Sequence, residues 1–201
     1  MKILAFSDLH LSHRAAAELV EASGEADLVI GAGDFCTGRE GLTEALEMLA
    51  GITAPMVVVP GNNESAGELR EAVREGITVL HGQGVEIAGL TLYGVGGGVP
   101  VTPFGDWSWD LTEVEAEALL EPCAQADILV LHSPPKGVAD STSSGQSVGS
   151  TAIRDAIARI QPRLAVCGHI HDAWGQEGTI GNARVVNLGP RPNWFELAGQ
   201  E

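Results

Sequence analysis

What most constrains this chain is where its short apolar runs stop. KILAF (2–6), ADLVIGAGD (26–34), APMVVVPGNN (54–63), DILVLHSPPKG (127–137) and RLAVCGHIHDAWG (163–175) each carry the apolar core of a buried strand. Each then breaks off into a cluster of Gly, Pro, Ser, Asp, Asn or His. Between them, RAAAELVEA (14–22), GLTEALEMLA (41–50), SAGELREAVRE (65–75), TEVEAEALLE (112–121) and TAIRDAIARI (151–160) have helix-forming composition and roughly helical apolar spacing. Strand and helix alternate, which is the pattern of an α/β architecture.

Residues 77–97, ITVLHGQGVEIAGLTLYGVGG, are short β-like runs separated by Gly and predict added antiparallel strands, and so a second sheet. ARVVNLG (183–189) and NWFELA (193–198) would close the sheets. The strand count exceeds what one covered sheet of this size uses. The fold class expected is therefore α/β, a four-layer αββα sandwich of two mixed β-sheets flanked by helices. At 201 residues one domain over 1–201 is the natural division. The Ser- and Gly-rich segment DSTSSGQSVGS (140–150) reads as an active-site loop or a plain connection.

Asp8, His10, Asp34, Asn62, His132, His169 and His171 all fall just beyond an apolar run, and they include four of the six histidines. Loops at strand ends bring side chains from distant positions into one crevice, and mixed imidazole and carboxylate donors suit Mn, Fe, Zn or Ni. Singly, D-x-H, G-D, G-N and H-x-H occur by chance, and a lone His after a strand is more often structural. Their joint order is what carries the argument.

Through Asp8-Leu9-His10, Gly33-Asp34, Gly61-Asn62-Asn63-Glu64, His132 and Gly168-His169-Ile170-His171, the sequence resembles the calcineurin-like metallophosphoesterases. LHSPPKG, GQSVGSTAIRDAI and GHIHDAWG further look like a compact prokaryotic branch, similar to the one with the MPPED phosphodiesterases. The resemblance implies two divalent transition-metal ions. Asp8, His10 and His171 would hold one, Asn62, His132 and His169 the other, and Asp34 would bridge them. It implies hydrolysis of a small-molecule phosphate ester, foremost a phosphodiester, by in-line attack of a metal-bridging hydroxide. Asp34, Asn63 and His169 would be the residues nearest the chemistry. The alternatives are a phosphomonoesterase and a catalytically silent scaffold of the same fold that binds a protein partner.

The family commonly has His where this chain has Asn63. Asn can donate a hydrogen bond to a developing oxyanion but cannot supply a proton as imidazolium does. His13 could face the pocket and supply it, although a solvated His at a helix start is the commoner case. His81 reads as structural. Phe104, Trp107 and Trp109 could pack on an aryl or nucleoside group or could simply cover the core. Lys136 and Arg191 could meet a phosphate or be plain surface cations. Glu64 is expected to orient its loop, and Cys36 to be a packing residue.

A formal net charge of −16 opposes extended nucleic-acid binding, so phosphate recognition has to be local. No apolar run is long enough for a membrane helix. Cys36, Cys123 and Cys167 are odd in number and not grouped, so they suggest no disulfide framework. The amino-terminal segment MKILAFSDLH lacks a signal-peptide pattern. The expected location is cytoplasmic, with no membrane association.

Overall fold

The computed structural model describes residues 1–199. In chain order the elements are β1 (Lys2–Phe6), α1 (His13–Ser23), β2 (Leu28–Gly31), α2 (Leu42–Met48), β3 (Met56–Val58), α3 (Ala66–Ala72), β4 (Ile77–Val79), β5 (Gln83–Ile87) and β6 (Leu90–Val95). They continue with α4 (Glu113–Leu120), β7 (Ile128–Leu131), α5 (Thr151–Ile160), β8 (Leu164–Cys167), a 3₁₀ turn at His171–Ala173, β9 (Glu177–Ile180), β10 (Ala183–Asn187) and β11 (Asn193–Glu196). The sandwich of two mixed sheets is as the alternation predicts. One sheet has the order β11-β1-β2-β3-β4, the other β5-β6-β7-β8-β10-β9.

Strands buried on both faces explain why the apolar runs are nearly continuous rather than alternating. Along β1, Ile3 and Ala5 enter the core between the sheets, while Leu4 and Phe6 enter the core that also holds Ala16 and Leu19 of α1. In β7, Ile128 and Val130 meet the inter-sheet core; Leu129 and Leu131 join Ile153 and Ile157 of α5 and Ala116 and Leu120 of α4. The outcome is four layers: α1–α3, the first sheet, the second sheet, and α4 with α5.

All the helices but α2 start where a side chain meets their unpaired N–H groups. Ser65 with Glu68 and Thr112 with Glu115 form reciprocal capping boxes on α3 and α4, each cap contributing about 1 kcal/mol. Glu113 of α4 accepts from the N–H groups of Thr151 and Ala152 and from Ser150 Oγ, so α4 also caps α5.

Two local expectations need correction. The 77–97 segment is not uniformly antiparallel: β4 joins the first sheet parallel to β3, and only β5 and β6 pair antiparallel before β6 runs parallel to β7. Loop residues 80–82 thus carry the chain from one sheet to the other. β9, an edge strand paired antiparallel to β10, has no counterpart among the strands expected from sequence. Its sequence EGTI has too little apolar character to register as a strand.

β1, β2 and β3 run parallel in the first sheet, as do β6, β7 and β8 in the second. Their carboxyl ends deliver Asp8, Asp34, Asn62, His132 and His169 to one edge of the sandwich.

Candidate metal centre

Seven side chains converge at that edge in two groups that share one carboxylate. The donor atoms of Asp8, His10 and His171 lie within 4.8 Å of one another, as do those of Asp34, His132 and His169. Asp34 faces both ways: Oδ2 is 3.4 Å from His10 Nε2, and Oδ1 is 3.5 Å from His132 Nε2. Asn62 Oδ1 completes the second group, 3.2 Å from His132 Nε2 and 3.0 Å from His169 Nδ1. In the first group, His10 Nε2 and His171 Nε2 are 3.1 Å apart. Ligand bonds of about 2.1 Å at angles of about 90–110° put neighbouring donors at such separations.

Proton accounting favours a cation in this cluster. His132 Nδ1 lies 2.8 Å from the Ala32 carbonyl, which only accepts, so Nδ1 carries the hydrogen and Nε2 presents its lone pair to Asn62 Oδ1. His10 is fixed in the same way by the Cys36 carbonyl at 3.1 Å. The orientation of Asn62 is equally determined. Ser108 Oγ gives its one proton to Asp110 Oδ1 at 2.7 Å, and therefore accepts from Asn62 Nδ2 at 2.9 Å. Asn62 Oδ1 is left facing the imidazoles. At the His132–Asn62 contact an acceptor thus meets an acceptor, and a metal ion or an extra proton must lie between them. The electrostatics agree. Burial opposes a charge on His132, yet the Asp34 and Asp8 carboxylates outweigh it and raise its pKa. Burial and the neighbouring His132 push His169 down to about 3, leaving a neutral imidazole. Burial would raise the Asp34 pKa, but His132, His10 and the hydrogen bond from Asn63 more than offset it.

The backbone is bent to make this possible. Asp8, His10, Asp34 and His169 have φ between 44° and 65°, in the left-handed region that non-glycine residues rarely occupy. A Cβ on Gly61 would stand 2.0 Å from Asp34 Oδ1, and one on Gly168 would stand 2.5 Å from Asp8 Oδ2. Those two positions of the G-N-N-E and G-H-I-H motifs accept only glycine for reasons of space.

Behind the donors lies a layer of supporting contacts. The buried Glu64 carboxylate accepts from the N–H groups of Asp34, Phe35 and Gly61 at 2.8, 3.1 and 2.7 Å, which is the loop-orienting part expected of it. Burial and the Asp34 charge raise its pKa. Asp8 Oδ2 accepts from Ser7 Oγ at 2.5 Å and from Trp174 Nε1 at 3.0 Å. The Trp174 ring also packs 4.4 Å from His171, centroid to centroid. Sequence reasoning does not single out Ser7, Ser108, Asp110 or Trp174. Ser7 and Trp174 carry a weak signal in adjoining a ligand motif, whereas Ser108 and Asp110 carry none.

The remaining candidates separate clearly. Asn63 donates its backbone N–H to Asp34 Oδ1 at 2.9 Å and accepts from Gly38 N–H through Oδ1 at 2.7 Å. Its Nδ2 hydrogens are the part able to donate to a bound oxyanion. The His13 side chain is 77% exposed and 3.6 Å from Glu44, outside the cleft lining. His81 accepts from Gly96 N–H and packs on Trp109 with ring centroids 5.0 Å apart. Phe104 and Trp107 line the cleft; Trp109, Lys136 and Arg191 do not. Cys36 is buried and donates through Sγ to the Asn63 carbonyl. Burial and Glu64 push its thiol pKa up, away from reactivity. All three cysteines are free and buried.

The centre sits in a cleft of about 810 Å³. No helix among the described residues is long and apolar enough to cross a membrane.

Comparison with known proteins bears on this geometry. The sequence profile of the calcineurin-like phosphoesterase superfamily domain matches residues 1–196. Metallophosphoesterase domain-containing protein 1 of Homo sapiens is 32% identical over 120 residues, 54% of this chain and 35% of its own length. The chain spans about a quarter to a third of the length of the first curated relatives it matches. TT1561 of Thermus thermophilus superposes with a TM-score of 0.76 at 19% identity, covering 94% of this chain and 88% of that one. A dimetal phosphatase from Danio rerio superposes with a TM-score of 0.63 at 12% identity, covering 94% and 88%.

Proposed function

The chain belongs to the calcineurin-like phosphoesterase superfamily, and on that premise we propose that it is a metal-dependent phosphodiesterase acting on small molecules. The observation that carries the reading is the Asp34 carboxylate, with one oxygen beside each of two donor groups. Asp8, His10 and His171 would hold one divalent cation, Asn62, His132 and His169 the other, and Asp34 both. The donor set suits Mn, Fe, Zn or Ni. When bound, such a pair supplies Lewis acidity and a water of lowered pKa for in-line displacement at phosphorus.

The chain's own residues then define the rest. Asp34 holds the two groups in one frame, and the Asn63 N–H donated to it keeps the Asn63 side chain beside the reacting centre. Asn63 Nδ2 donates to the oxyanion that grows at phosphorus. His13 does not replace the missing imidazolium at position 63, because its side chain is largely exposed and lies outside the cleft lining. The leaving oxygen departs with little help from a protein proton, which favours good leaving groups.

The charge lining the cleft favours diesters over monoesters. Asp8 and Asp34, which would sit on the cations, line it together with Asp172, and among the described residues no lysine or arginine does, so bound cations would be its only countercharge. A singly charged diester asks less countercharge of such a cleft than a monoester dianion. The net charge of −16 points the same way, toward a small ligand rather than a nucleic-acid strand. We read residues 1–201 as one domain and the site of action as the cytoplasm, in keeping with three free, buried cysteines. A silent scaffold would be expected to have lost ligands, whereas all seven positions here carry competent donors. Metal analysis combined with turnover of bis(p-nitrophenyl) phosphate, with and without added manganese, tests the proposal. Two-metal protein that hydrolyses neither diesters nor monoesters would instead favour the scaffold.

A further inference from the structure

We infer that Phe104 and Trp107 form a seat for a flat ring, so that the diesters this site prefers carry an aryl or heteroaromatic group next to phosphorus. The inference rests on the phosphodiesterase reading and narrows its substrate class.

Both rings are large, apolar and left open, Phe104 52% and Trp107 41% exposed. They lie nearly parallel, 15° apart with centroids at 5.7 Å, and both border the cleft that contains Asp34 and His169. Rings so exposed cover little of the core, which is the competing reading. The Phe104 ring stands edge-on to His169 with centroids 6.5 Å apart. A group stacked on this wall is therefore about one substituent away from a phosphorus held between the two donor groups. Among the described residues no lysine or arginine lines the cleft to recognise a second phosphate, so the wall selects for a ring and not for further charge.

The wall is firmly placed. Its loop closes around Asp110, which accepts from Thr102 N–H at 2.7 Å, Thr102 Oγ1 at 2.6 Å and Ser108 Oγ at 2.7 Å. Ser108 accepts in turn from Asn62, and Trp109 N–H donates to the Asn62 carbonyl at 2.8 Å. The same segment thus orients a donor of the metal centre and carries the two rings. Aromatic side chains fixed in this way bind flat groups by offset stacking at little cost in conformational entropy.

The test uses the full chain reconstituted with manganese and two diesters with one leaving group, phenyl p-nitrophenyl phosphate and methyl p-nitrophenyl phosphate. Corrected for their uncatalysed rates, kcat/KM should favour the phenyl diester by about tenfold, mostly through KM. In the double variant Phe104→Ala/Trp107→Ala that preference should fall to within about twofold of unity. Calorimetric binding of monomethyl phenylphosphonate against monomethyl methylphosphonate repeats the comparison without turnover, and the single variants Phe104→Leu and Trp107→Leu keep the bulk of the loop. No ring preference in the unmodified chain, or one that survives the double variant, overturns the inference and leaves the phosphodiesterase reading standing. Hydrolysis of neither diester by two-metal protein removes both.

Discussion

The backbone N–H of Asp34 donates to Glu64 Oε1 at 2.8 Å, and the same oxygen accepts from Gly61 N–H at 2.7 Å. One buried carboxylate thereby ties the loop after β2, which carries Asp34, to the loop after β3, which carries Asn62. The two loops are held at a spacing that neither sequence segment specifies alone.

Glu64→Ala should leave these N–H groups buried without acceptors, at a cost of about 2–3 kcal/mol or more. It should also weaken metal binding by about 10–100-fold, the usual effect of losing an outer partner of the ligands. Thermal denaturation and metal titration check the two effects separately. Unchanged metal affinity in a folded variant would mean that the loops do not depend on this carboxylate.

Ser108→Ala should act on the metal centre without touching a metal. It removes the acceptor that fixes the Asn62 amide, so the affinity of the second donor group should fall by about tenfold or more while that of the first changes little. Stepwise metal titration distinguishes the two groups. Equal loss at both would point to a general disturbance of the loop.

Position 63 offers a test of the missing proton donor. Asn63→His should raise turnover of alkyl diesters more than that of aryl diesters, by up to about a hundredfold. p-Nitrophenolate leaves without protonation and should respond little. Equal gains in both classes would assign the position to oxyanion stabilisation.

His81 should make the protein sensitive to acid apart from any metal. Burial, with a smaller contribution from Arg70, pushes its pKa down to about 4, from 6.5. The unfolded chain therefore takes up this proton first. Stability from neutral His81 is full above about pH 6.5 and is lost as pH falls through about 4. His81→Gln should flatten the fall in melting temperature between those pH values. An unchanged slope would show that His81 does not carry it.

The sequence exposes much of the layered fold because strands buried on both sides are apolar throughout, as KILAF and ILVL are. β9 escapes because an edge strand needs no such run. The candidate metal donors are legible because each lies in the loop that follows a strand and each is a residue with few other reasons to stand there. Ser108 and Asp110 are not legible. Their part depends on a hydrogen bond to Asn62, 46 residues away for Ser108, and Ser and Asp are ordinary loop residues. The wall of Phe104 and Trp107 is half legible, since aromatics in a loop announce themselves but their facing does not. Trp109 lies in the same stretch and turns to His81 instead.

The central claim is that Asp34 joins two metal ions in one centre. It is tested most directly by the metal stoichiometry of the reconstituted protein and its Asp34→Ala variant, together with anomalous diffraction from manganese-soaked crystals of the unmodified chain. The expected result is two ions about 3.5–4 Å apart, with Asp34 oxygens on both, and a variant that binds both ions more weakly and turns over no diester. A single ion, two ions in separate pockets, or full diesterase activity without the Asp34 carboxylate would contradict it.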